Sequence, residues 1–159
     1  MTHSVELLFD DAAEAGVRDL WERMRAAGLP GLADHRHPTN RPHVTLVAAT
    51  SLTGLPPLPL PINTTIAGVR LLGRAVVREL ALPPGLRELH AAVWGAVGSA
   101  NPHHAPARWV PHVSLALTMP ERHRAAALAL LSDLPPVPAR LVAARTYDSD
   151  ARAVRDLTE

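Results

Sequence analysis

The 159-residue sequence contains no cysteine and no lysine. Without cysteine there can be no disulfide and no thiolate metal site. Without lysine all sixteen basic residues are arginine, and lysine nucleophiles, Schiff bases and phosphate-loop cations drop out of the available chemistry. Aromatic rings are scarce: Phe9, Trp21, Trp94, Trp109 and Tyr147. That is too few for a broad base-stacking platform. The net charge of +1 supplies no strong field to attract long nucleic acid. No apolar run approaches the roughly 20 residues needed to cross a bilayer. The opening Met1-Thr2-His3-Ser4 runs directly into a strand-like stretch with no signal-peptide pattern, so a cytoplasmic protein that does not engage membranes is the expectation.

What is present is a globular balance, with 47% apolar and 19% charged residues. The length suits one domain, spanning 1–159, with one core. Ser4 to Phe9 reads as a short strand. Asp10 and Asp11 offer an N-cap for a helix over 12–27, where Val17, Leu20, Trp21 and Met24 recur at helical spacing. A loop rich in Pro, Gly and His leads to a β-branched strand at His43 to Ala49. Four prolines in 50–61 exclude a central strand there. A hairpin follows over 64–72 and 75–82, then a helix over 86–97 and a second loop with Pro and His. A strand over 112–118, a helix over 121–134 and two closing strands near 140–147 and 153–157 complete the pattern, with a turn at 148–150. Strand, helix, loop and a His-Val-Ser/Thr-Leu motif therefore occur twice. This predicts two related halves, about 1–74 and 75–159, packed around a cleft in an α+β fold with mainly antiparallel sheets and outer helices.

The informative residues are His43-Val44-Thr45-Leu46 and His112-Val113-Ser114-Leu115. On a strand, side chains at i and i+2 share one face. His43 and Thr45 thus point together while Val44 and Leu46 turn to the core, and His112 and Ser114 repeat the arrangement. Two imidazoles can supply an acid and a base near neutral pH. In-line displacement at phosphorus needs both, on opposite sides. Hydroxyls of Thr45 and Ser114 can donate to non-bridging phosphoryl oxygens. With this composition, two such motifs arise by chance in roughly one or two chains per hundred. The bland alternative makes each histidine a half-buried strand residue bonded to a neighbour.

The paired motifs, and Trp109-Val110-Pro111-His112-Val113-Ser114-Leu115 in particular, resemble the 2H phosphoesterase superfamily, the 2′-5′ RNA ligase-like proteins. The resemblance extends over almost the whole chain. It implies a duplicated two-lobe α+β fold with a central cleft. It also implies hydrolysis of 2′,3′-cyclic or related cyclic phosphodiesters, on nucleotides or RNA ends, without metal or other cofactor. The 2′-phosphate is then the usual product. The sequence departs from the bacterial RNA-processing branch at Val47-Ala48-Ala49, where a Phe-Leu-Gly-like run is usual, and at Leu117, where an arginine often stands.

The expected catalytic set is therefore His43, Thr45, His112 and Ser114, with His43 assigned as general acid and His112 as general base. Arg41 can meet phosphate beside the first motif or remain a solvated loop residue. Trp109 and Tyr147 can stack on a base or line the cleft, with core packing the alternative for Trp109. His35 and His37, and His103 and His104, lack partner carboxylates at ligand spacing and are not read as metal ligands. They can instead flank the cleft and shift its titration. The proline-rich 56–61 segment can be a polyproline-II ligand or a stiff connector. Two other functions use the same residues: ATP-independent 2′-5′ RNA ligation, and non-catalytic binding of phosphorylated nucleotides or RNA ends. The partner in each case is a cyclic nucleotide or RNA end, engaged by a monomer.

Overall fold

A computed structural model describes residues 2–98 and 101–158. Its elements follow the sequence pattern: β1 (His3–Phe9), α1 (Asp11–Ala26), β2 (His43–Ala49), β3 (Ile62–Leu72), β4 (Ala75–Leu80), α2 (Pro84–Val97), β5 (His112–Ala116), α3 (Glu121–Leu130), β6 (Val137–Asp148) and β7 (Ala153–Asp156). Single 3-10 turns interrupt the two histidine-rich loops at Leu32–Asp34 and Pro102–His104. Residues 50–61, with their four prolines, form neither helix nor strand. Among the described residues no helix is long and apolar enough to cross a membrane.

All strand pairs are antiparallel, in one sheet ordered β2-β1-β6-β3-β4-β5, with β7 also on β6. The register explains how one sheet makes two flanks. Along one edge β6 pairs continuously with β1, from His3 opposite Asp148 to Phe9 opposite Leu141. Along its other edge β6 pairs with β3 at residues 137–141 and with β7 at 145–148. The first flank is therefore β2-β1 on one end of β6, and the second is β5-β4-β3 on the other. The two end strands, β2 and β5, come into contact with each other although no ladder joins them.

Amphipathic spacing accounts for the helices. Ala13, Val17, Leu20, Trp21 and Met24 form the buried stripe of α1, and Leu86, Leu89, His90 and Val93 that of α2. These stripes share one core with Val5, Leu7, Phe9, Val44, Leu46, Val113, Leu115 and Leu141. Asp10 does occupy the N-cap position of α1, but its carboxylate does not cap the helix. Instead Oδ1 accepts from the Arg140 backbone N–H (2.8 Å), and the Asp10 N–H donates to the Arg140 carbonyl (2.9 Å), tying the helix entry to β6. The helix expected over 121–134 stops at Leu130: Ser132 Oγ bonds back to the Ala129 carbonyl (3.0 Å), and Pro135-Pro136 bars helical continuation. The strand expected over 112–118 ends at Ala116, leaving Leu117 exposed.

Among the described residues five polar side chains are buried: Glu6, Thr64, Arg78, His90 and Arg145. His90 is 2% exposed, its ring stacks on Trp109 (centroids 3.9 Å apart, planes 4° apart), and its Nε2 has no partner among the described residues. Burial lowers its pKa from 6.5 to about 4, outweighing the pull of the Leu46 and His104 backbone and adding to repulsion from His104. Above pH 6.5 the ring is neutral whether the chain is folded or not. Between pH 6.5 and about 4 the unfolded chain takes up a proton that the folded chain refuses, so stability falls with pH. The loss across that window is on the order of 3 kcal/mol. Replacing His90 by Phe keeps a ring against Trp109 and removes the titrating group. Urea unfolding of His90→Phe should therefore show a flatter decline from pH 6.5 to 4 than the native chain. An unchanged slope would dismiss His90 as the acid-sensitive group.

Candidate active site

Strand periodicity places both motifs as expected. In β2 and β5, His43, Thr45, His112 and Ser114 are half-buried, whereas Val44, Leu46, Val113 and Leu115 are buried. The two histidines are held in the same way. His43 Nδ1 lies 2.7 Å from the Arg41 carbonyl, and His112 Nδ1 lies 2.6 Å from the Val110 carbonyl. A carbonyl can only accept, so Nδ1 carries a proton in both rings; Nε2 of His112 has no partner among the described residues, and Nε2 of His43 stands 3.3 Å from Glu6 Oε2. Each imidazole is thus fixed by the backbone two residues before it, a strand-entry device that occurs in both halves.

The two motif strands are joined by a crossed pair of indoles. Trp21 Nε1, on α1 in the first half, donates to the Ser114 carbonyl in β5 (3.1 Å). Trp109 Nε1, just before β5, donates to the Thr45 carbonyl in β2 (3.1 Å). β2 and β5 pair through one edge only, so these donors serve carbonyls on strands with an unladdered side. The result brings the imidazoles within electrostatic reach. Burial lowers the pKa of His112, and the charge of His43 lowers it further, against the Val110 carbonyl and Glu79. Arg70 also lowers it, while Arg70 Nη1 is itself paired with Glu79 Oε1.

A pocket of about 310 Å³ opens beside the meeting point and takes in His43 from one motif and Ser114 from the other. Its wall is strongly basic. Arg41, Arg145 and Arg152 contribute, with His35 and His37 at the same wall. Arg41 Nε pairs with Glu14 of α1. Arg145 Nη2 donates to the Thr39 carbonyl (2.8 Å), fixing the loop that carries those histidines. Arg152 is placed by a turn in which Asp148 Oδ1 accepts from the N–H groups of Asp150 and Ala151 (2.9 and 3.2 Å). Arg152 itself has φ of 50°, a left-handed backbone rare for a non-glycine residue. Among the described residues no cluster of three or more His, Cys, Asp or Glu side chains could hold a metal.

Three solved structures align with most of this chain. The PDE domain of MHV ns2 is 16% identical over 76% of this chain and 84% of its own, with a TM-score of 0.51. Usb1 of Kluyveromyces marxianus is 13% identical, with 99% and 98% covered and a TM-score of 0.52. LigT of E. coli, in its apo form, is 14% identical, with 99% and 94% covered and a TM-score of 0.54. The fold is that of the 2H phosphoesterases. No family model matches the sequence, and no curated protein matches it, so the likeness is one of architecture.

Within this 2H fold the residues singled out from sequence take different places. His43, Ser114, Arg41 and Tyr147 line the pocket. Thr45 and His112 stand on the same two strands but outside its lining. Trp109 is 7% exposed and absent from the lining; it packs in the core, between His90 and the Thr45 carbonyl. His35 and His37 are at the pocket, and His104, whose own pKa is lowered by burial, sits close enough to His112 for the two charges to interact. Leu117, 54% exposed, lines the pocket beyond the second motif. Sequence reasoning missed Glu6, Arg145, Arg152 and the role of Trp21. Only Glu6 left a signal, an acid between apolar neighbours in a strand. Trp21→Phe keeps the ring but removes the donor to Ser114. It should lower stability by about 1–3 kcal/mol, the cost of orphaning a buried carbonyl, in denaturant unfolding. Native stability in this variant would refute the indole clasp.

Proposed function

We propose that the chain opens a cyclic phosphodiester by hydrolysis, with a 2′,3′-cyclic nucleotide or RNA end as substrate, through acid–base catalysis by His43 and His112 and without a metal. The observation that carries this reading is the convergence of both motifs on one basic pocket: β2 and β5 adjoin, and His43 and Ser114 line the same wall as three arginines. A volume near 310 Å³ is at the small end of ligand pockets and suits a mononucleotide or the terminal nucleotide of a strand.

The proton traffic follows from the ring geometry. His112 donates Nδ1–H to Val110, so its Nε2 presents a lone pair, and its lowered pKa keeps that lone pair free at neutral pH. It takes a proton from water as the water oxygen bonds to phosphorus. On the opposite side the bond from phosphorus to the ribose oxygen breaks, and His43 gives that oxygen a proton from Nε2. The ring opens to a phosphomonoester, and proton exchange with solvent resets both imidazoles. The Thr45 and Ser114 hydroxyls, with no partner among the described residues, are available to the non-bridging oxygens, where charge gathers. Arg41, Arg145 and Arg152 offset the charge of the bound phosphate and Tyr147 faces the nucleoside.

Phosphorus NMR on a panel of 2′,3′-cyclic mononucleotides and short cyclic-ended RNAs tests this. His43→Ala and His112→Ala should each slow ring opening by about 10²–10⁴-fold, and chelator should leave the native rate unchanged. Full activity in the double variant, or activity abolished by chelator, would sink the reading. Because His112 must be neutral and its pKa is lowered by burial, the rate should hold down to pH 6.5 and fall only below it. An acid limb well above 6.5 would assign the base to another group.

A further inference from the structure

Glu6 is the single carboxylate in the lining of a pocket otherwise edged by three arginines and three histidines. It is also deeply buried, at 4% exposure. An acid in that position repels a phosphate, which an apolar residue would not do. Its contacts supply the reason for its presence. Oε1 accepts from Arg145 Nε (2.8 Å), and Oε2 accepts from Ser4 Oγ (3.3 Å) and stands 3.3 Å from His43 Nε2. His43 Nδ1 already faces the Arg41 carbonyl at 2.7 Å. His43 therefore has a carbonyl acceptor at Nδ1 and, at Nε2, a carboxylate oxygen within ion-pair distance though not aligned as a hydrogen bond. In a neutral ring Nε2 would turn a lone pair toward that carboxylate. The hydrogen bond at Nδ1 and the charge pairing at Nε2 are favourable together when the ring carries two protons. His112 has the first contact and lacks the second: its Nδ1 faces Val110, and no acceptor lies at its Nε2 among the described residues. The register explains the asymmetry. Glu6 pairs across from Thr45 in the first half, where the second half places Val77 across from Ser114.

We infer that Glu6 is a positioning residue which, braced by Arg145, holds His43 in its doubly protonated form and so makes it the proton donor of the pair. This rests on the reaction proposed above and adds the reason for its direction. Arg145 has two tasks. It offsets the Glu6 charge, so that the carboxylate does not expel an anionic substrate, and it leaves Oε2 turned to His43. The other groups facing His43 are cations or neutral: Tyr147 on β6, Arg152 on the closing turn, His35 and His37 on the loop, Arg41 (already paired with Glu14) and His112 across the cleft. None of them can supply the second acceptor. A substrate oxygen approaching Nε2 meets a proton already in place.

The test reads ring states first and rates second. Imidazole ¹⁵N shifts of the labelled native chain at pH 7 should show His43 protonated on both nitrogens and His112 on Nδ1 alone. In Glu6→Gln, which keeps an acceptor for Arg145, His43 should move to the single-proton pattern while His112 stays as it was. Ring opening should then fall about tenfold through kcat, with KM little changed, and the alkaline limb of the rate profile should move to lower pH. A neutral His43 in the native chain overturns the inference even if the variant does not fold. So does a Glu6→Gln variant whose His43 ring and alkaline limb match the native ones. The shifts need no substrate. A chain that opens no cyclic phosphodiester but shows the Glu6-dependent proton would refute the reaction and leave the Glu6–His43 pairing standing.

Discussion

Two indole N–H groups, each reaching into the opposite flank, hold the two motif strands against one another. The sheet alone does not do this. Its end strands β2 and β5 lie five places apart in strand order and exchange no ladder bonds, and a sheet with two free ends has no intrinsic reason to close. Trp21 and Trp109 supply the closure with neutral hydrogen bonds of 3.1 Å to Ser114 and Thr45, both placed within the motifs themselves. The same contacts satisfy carbonyls on strands whose outer edges would otherwise invite foreign pairing. His90 completes the arrangement from behind by stacking on Trp109. Its buried, unpartnered nitrogen is the electrostatic cost of a flat ring in that slot.

On this frame the two motifs are held alike and surrounded by different charges. Each histidine is oriented by a carbonyl two residues upstream, and each shares its strand face with a hydroxyl. The surroundings differ. The first motif has a buried carboxylate–guanidinium pair beside it, Glu6 with Arg145; the second has a half-exposed pair, Glu79 with Arg70, and a burial that disfavours charge. Two like motifs gain direction only when their surroundings differ electrostatically. Here that difference is carried by Glu6 on β1, Arg70 on β3, Glu79 on β4 and Arg145 on β6.

Much of this was legible in the sequence, and the part that was not has a common cause. Period-two burial in His43–Leu46 and His112–Leu115 follows from apolar residues at alternate positions, so the face carrying both motifs was readable. Helix stripes such as Val17, Leu20, Trp21 and Met24 were readable from local spacing too. The contacts that complete the site are between residues far apart in the chain: Trp21 with Ser114, Trp109 with Thr45, Glu6 with Arg145. No periodicity encodes those pairings. Element ends shifted where a local device outweighed propensity, as when Asp10 turned from its helix to the Arg140 backbone. The role of Trp109 was open for the same reason, since an indole beside a motif can face a ligand or the core, and here the Thr45 carbonyl and His90 lie on the core side.

β6 gives the architecture one last property. It comes from the end of the chain, yet its first residues extend the second flank through β3 and its last residues extend the first through β1. The strand is a shared spine. A gene fragment ending after β3 would encode β1, α1, β2 and β3 but not the segment that lies between β1 and β3. Fraying of that one strand would undo the joints with β1 and β3 together.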